Sequence, residues 1–142
     1  MKNYTKEEIT SLIKRFELEK LPKVEWTHEA HLVVAIWYCS KYEFERAVDL
    51  VRGNISRHNE SVGTENTDTS GYHETITKFW LLIARDFLKD KGDSSVEDNC
   101  NALINSIYGE SKYPFNYYSP ELLFTVKARH YWVYPDLKEL KL

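Results

Sequence analysis

Apolar residues recur at helical spacing along most of this chain. Ile9, Leu12, Ile13 and Phe16 mark one face of a first helix, with Thr5 where an N-cap belongs and Glu8 completing a capping box. Leu21-Pro22 ends it. Thr27 caps a second helix reaching about Tyr42, apolar on nearly every face from Leu32 to Tyr38, which predicts the central element of the fold. A third runs from Glu43 to about Asn59 on the stripe Phe44, Ala47, Val48, Val51 and Ile55. From Glu60 to Gly71 the periodicity stops in a polar loop, long enough in a small domain to suggest a functional segment. Ile76, Phe79, Trp80, Ile83, Ala84 and Phe87 define a fourth helix with Lys91-Gly92 as its stop signal. Ser94 or Ser95 begins a shorter one, and Ser119-Pro120-Glu121 begins the last, with proline at its first position. Tyr113 to Tyr118 reads as irregular and aromatic, and the chain finishes on Arg129-His130-Tyr131-Trp132-Val133-Tyr134-Pro135. The pattern predicts an all-α, single-domain antiparallel helical bundle of about five or six helices, spanning residues 1–142, with an aromatic C-terminal segment.

Composition narrows the function classes. Nineteen basic and 22 acidic residues give a net charge of −3, with the signs mixed along the chain. A nucleic-acid binder would gather Lys and Arg against phosphates, so that class is excluded. Cys39 and Cys100 form no CxxC and sit far apart, as in reduced cytosolic proteins. The N-terminal stretch Met1 to Glu8 lacks the apolar run of a signal peptide, and Leu32 to Cys39 is too short to span a bilayer. A cytoplasmic protein with no membrane partner is expected.

The candidate chemistry lies in two histidine-glutamate segments, Trp26-Thr27-His28-Glu29-Ala30-His31 and Gly71-Tyr72-His73-Glu74-Thr75, each opening an apolar helix. His28 and His31, three apart, share a helix face and can approach one ion. His73 is the natural third ligand if the two helices start at the same end of the fold. Three neutral imidazoles suit a divalent transition metal such as Zn, Ni, Fe or Cu and leave a position open for water or substrate. Glu74 is the candidate proton handler. Asn59, Asn66, Tyr72 and Thr77 are candidate substrate-binding groups around His73, although Asn and Thr equally supply turns and caps. The spacing is not that of a zincin, which needs histidines four apart, and no second Glu-x-x-His supports a di-iron bundle. Each histidine also has an ordinary reading as a hydrogen-bonded structural residue, favoured for His28, His58 and His130.

The segments Trp26-Thr27-His28-Glu29-Ala30-His31-Leu32 and Gly71-Tyr72-His73-Glu74-Thr75-Ile76-Thr77, with Asn59 and Gly63 between them, resemble those of a small uncharacterised bacterial family of helical proteins. The resemblance covers about the middle half of the chain. It carries no activity and implies only that the two segments belong together.

Two functional expectations follow. The first is a metal-binding small-molecule protein, a metal-dependent hydrolase or an oxygen-handling enzyme, with His28, His31 and His73 as ligands. The second is a non-catalytic interaction or regulatory module whose histidines tie helix starts to the polar loop. In that case the Tyr113–Tyr134 aromatics form a partner surface or a homo-oligomer contact.

Overall fold

Nearly every helix begins where a polar side chain can accept one of the unpaired N–H groups of a helix start. In the computed structural model, which describes residues 3–142, the protein is all-α: among the described residues there are seven α-helices and no strand. Met1 and Lys2, the first residues of the stretch weighed above as a signal sequence, lie outside the described residues.

Helix α1 (Lys6–Glu17) has the predicted capping box: Glu8 N–H donates to Thr5 Oγ1, and Thr5 N–H donates to the Glu8 carboxylate. Its buried face is Ile9, Leu12, Ile13 and Phe16. The chain reverses through Glu19, which sits at a φ of 59°, a region that glycine occupies at lower cost. A 3-10 turn, Lys23–Glu25, then leads through Trp26 to α2 (His28–Lys41), capped by Thr27.

Helix α2 buries seven residues, from Ala30 to Tyr38, and packs against α1, α3 (Phe44–Ser61), α4 (Glu74–Leu88) and α5 (Val96–Ile104). It is the central element, as its all-round apolar sequence predicts. Helix α3 runs two residues past its expected end because the Val62 and Thr64 N–H groups still find the carbonyls of His58 and Asn59.

The predicted last helix is broken in two, α6 (Pro120–Leu123) and α7 (Val126–His130). Thr125 is the cause. Its hydroxyl donates to Leu122 O at 2.9 Å and accepts from Ala128 N–H at 3.1 Å, closing one helix and capping the next. These two short helices dock on the start of α4. Thr75 Oγ1 donates to Tyr131 O at 2.8 Å and accepts from Val133 N–H, while Arg129 donates to Gly71 O at 2.9 Å.

The aromatic segment divides. Tyr118 is wholly buried, donates its hydroxyl proton to Val133 O at 2.6 Å and meets Trp132 edge-on. Tyr131 and Tyr134 stay 68% and 81% exposed. Among the described residues no helix is long and apolar enough to cross a membrane.

Candidate functional site

Three helices turn an i, i+4 stripe toward one cavity of about 410 Å³. Helix α2 contributes His31, Val34 and Ala35; α3 contributes Val51, Ile55 and Asn59; α4 contributes Ile76, Thr77, Trp80 and Leu81. The stretch before α2 adds Lys23 and Trp26, and the loop before α4 adds Thr64, Gly71, Tyr72 and His73. Val51 and Ile55 read as core in the sequence. The signal that could have found them is the candidate Asn59, which continues their spacing and puts a polar group on an apolar stripe.

The loop of residues 62–73 holds its shape through Asn66. The Asn66 side-chain carbonyl accepts from Asn59 Nδ2 at 3.1 Å and Tyr72 N–H at 2.9 Å, and its amide donates to Ser56 O at 2.9 Å. Asn66 therefore pins the loop and does not line the cavity. Gly71 is required beside it: φ is +79°, and a Cβ would lie 2.4 Å from Glu65 O and 2.5 Å from Asn66 Oδ1. His130 Nε2 meets Asp68 Oδ1 at 2.7 Å, fastening the loop to α7.

His73 is the N-cap of α4. Its Nδ1 accepts from Ile76 N–H at 3.1 Å, which leaves Nε2–H to donate to Leu123 O at 2.7 Å. Both ring nitrogens are engaged, the tautomer is fixed, and burial lowers the pKa against the opposing pull of the Leu123 carbonyl.

Glu74 lies beside the cavity and outside its lining. Arg52 Nε donates to Oε1 at 2.9 Å, Arg52 Nη2 to Oε2 at 2.8 Å and the Tyr72 hydroxyl to Oε1 at 2.7 Å. Burial works against the charge, but these donors prevail and the carboxyl titrates below its ordinary value. With three donors on it, Glu74 acts as a clamp between α3 and α4. Tyr72 lines the cavity, and its phenol donates to Glu74; burial and the carboxylate raise its pKa.

His28 and His31 share a helix turn yet serve different neighbours. His28 Nε2–H donates to Tyr108 O at 2.9 Å, its ring tilted 4.8 Å from Trp80 and outside the cavity lining. His31 Nδ1–H donates to Thr27 O at 2.6 Å. Its ring stacks on Trp26 at 3.8 Å, and Trp26 is held on Phe16 at 4.8 Å. Nε2 has no protein partner among the described residues. Burial lowers the His31 pKa from 6.5 to about 4, outweighing the Thr27 carbonyl, with small repulsions from His28 and His58 adding to the fall.

The structure thus brings His31, His73, Asn59, Tyr72 and Thr77 to one cavity and leaves His28, Glu74 and Asn66 outside it. Among the described residues no group of three His, Cys, Asp or Glu side chains is arranged to hold a metal ion. No carboxylate lines the cavity, and Lys23 is its one formally charged side chain. Neither thiol lines it, and burial pushes Cys39 and Cys100 up to about 12, so nucleophilic thiolate chemistry finds no group here. No protein family, curated protein or solved structure matches the chain.

Proposed function

We propose that the chain binds a small organic molecule in the cavity walled by α2, α3 and α4, with His31 as the polar contact. The observation that carries this reading is the convergence of three helical stripes on a largely apolar space lined by His31, whose Nε2 has no protein partner among the described residues. A volume of about 410 Å³ suits such a ligand, since pockets for small molecules run from roughly 300 to 1,000 Å³. Binding fits His31 better than base catalysis. With a pKa of about 4, protonating the ring at neutral pH costs about 4 kcal/mol, whereas accepting a hydrogen bond costs no such transfer. Both histidine-glutamate segments contribute residues to this cavity.

A cavity-filling variant tests it. Ala35→Phe puts a ring into the space, and the variant should keep its helical circular dichroism while losing the binding of aromatic probes measured by calorimetry. Unchanged binding in a folded Ala35→Phe protein would count against the cavity. Metal content decides the version of the reading. Probe binding by tag-free protein should survive a chelator. One equivalent of Zn, Ni, Fe or Cu, together with chelator-sensitive binding, would instead favour the metal-dependent hydrolase or oxygen-handling enzyme. His31 would then supply a ligand from the cavity, and Glu74 could act only after release from Arg52.

The interaction-module reading is favoured by one specific observation, the exposure of Tyr131 and Tyr134, with Phe124 and Leu137 exposed as well. If these aromatics form a partner or self-association surface, Tyr131→Ser with Tyr134→Ser should change the mass in solution or abolish partner capture while leaving probe binding intact.

A further inference from the structure

The hydrogen-bonding state of the cavity wall defines the class of ligand it accepts. The Thr27 carbonyl can only accept, so the 2.6 Å contact fixes the proton on His31 Nδ1 and makes Nε2 an acceptor. The ring cannot turn away easily: Trp26 covers one face at 3.8 Å, and Trp26 is itself braced by Phe16 at 4.8 Å and His58 at 5.2 Å. Trp26 therefore positions the imidazole, its own face being already taken.

Several other polar groups of the wall are committed: both His73 nitrogens are engaged, the Tyr72 hydroxyl donates to Glu74, and Asn59 Nδ2 donates to Asn66. The Thr64 and Thr77 hydroxyls can serve a ligand in either role, so the acceptor that selects a donor is His31. Charge is selected against on both sides. An ammonium would find no carboxylate in the lining, since Glu74 is outside it and clamped by Arg52. A carboxylate would face the lone pair of His31, and the only cation in the lining, Lys23, is solvent-exposed.

On the reading that this cavity is a ligand site, we infer that its ligand is an uncharged molecule with a ring-sized apolar body that donates an N–H or O–H to His31 Nε2. An acceptor-only analogue leaves His31 Nε2 without a protein or ligand partner inside the filled cavity, and sites built around such a bond discriminate against analogues lacking the donor.

The test uses matched probes on the full chain: phenol against anisole, indole against 1-methylindole, and benzylamine and benzoate as charged members. Affinities come from calorimetry, and the ring nitrogens of His31 are followed by long-range proton-nitrogen NMR. Donor-bearing probes should bind about ten- to a hundredfold more tightly than their methylated partners, and only they should shift the Nε2 resonance. His31→Phe should erase that preference while retaining the methylated probes; the Nε2 signature of the unaltered protein decides the matter if this variant does not fold. Equal binding of donor and methylated probes with an unmoved Nε2 resonance overturns the inference and leaves the cavity reading standing. Tighter binding of benzylamine or benzoate than of phenol overturns it too. Failure of every probe to bind overturns both. Zinc alone moving the Nε2 resonance, with no donor preference, replaces the inference with a metal site.

Discussion

The two histidine-glutamate segments look alike in sequence and do opposite work. At the start of α4 the histidine is itself the cap, so His73 uses Nδ1 on its own helix and Nε2 on the Leu123 carbonyl. At the start of α2 a threonine is the cap, and His31 falls inside the first turn, where one nitrogen reaches back to Thr27 O and the other remains unpartnered. The glutamates diverge for the same reason. Glu74, first residue of α4, is clamped by Arg52 and Tyr72, whereas Glu29 is the second residue of α2 and has no such clamp. A shift of a few residues relative to the cap separates a structural imidazole from one with chemistry to offer.

The sharpest way to break this comparison is to remove each histidine. His73→Ala leaves the Leu123 carbonyl and the Ile76 N–H without partners in a buried place, and should lower unfolding free energy by about 3 kcal/mol in urea titrations. A loss below about 1 kcal/mol would mean that His73 is not the cap it resembles. His31→Phe, which keeps a ring for Trp26 to stack on, should cost less than a third of that and show its effect in ligand preference instead.

Acid should act next most strongly. His31 binds protons less readily in the folded state than in the unfolded one, so its stabilising contribution is complete above pH 6.5 and is lost as the pH falls toward about 4. The loss should reach about 2–3 kcal/mol by pH 4. His73, also lowered, adds in the same direction. Stability of the unaltered protein, ahead of His31→Phe by under about 1 kcal/mol at neutral pH, should fall below that of the variant by about 1–2 kcal/mol near pH 4, so the two curves cross; parallel curves would show that His31 is not the titrating group.

Breaking the clamp comes third. Arg52→Met leaves the Glu74 carboxylate half-satisfied by Tyr72, and should lower stability by about 1–2 kcal/mol with little change in probe affinity. A loss of binding as large as that of the cavity-filling variant would move Glu74 into the site. The smallest effect concerns the turn after α1. Glu19→Gly relieves a left-handed residue and should raise stability by about 1 kcal/mol, measured by thermal unfolding.

The parts of this molecule that were legible in the sequence are those whose causes lie within a few residues. Thr5 with Glu8, Thr27 before α2, Ser95 before α5 and the all-round apolar run of α2 are local signals, and each predicts its element. That His31, His73, Asn59, Tyr72 and Thr77 line one space was expected only if the two helices start at the same end of the fold, which tertiary packing decides. What was hidden depends on distant partners. Nothing near His28 announces that the carbonyl of Tyr108, 80 residues away, takes its Nε2 proton. Nothing near His73 announces that Leu123, 50 residues away, does the same. Asn66 reads as a loop residue open to a ligand until Asn59, Ser56 and Tyr72 are found around it. The break between α6 and α7 rests on a threonine hydroxyl serving two helices, which no periodicity reveals.

The stack of Trp26 between Phe16 and His31 makes this tryptophan an optical gauge of the imidazole beside it. A protonated imidazole quenches indole emission, while a neutral one in van der Waals contact does so far less. The emission of Trp26 therefore reports the charge of the imidazoles on it, His31 at 3.8 Å and His58 at 5.2 Å, without label or cofactor, and the difference from His31→Phe isolates His31. With Trp37, Trp80 and Trp132 replaced by phenylalanine, a single fluorescence titration reads out when the cavity holds a neutral ring and when it holds a cation.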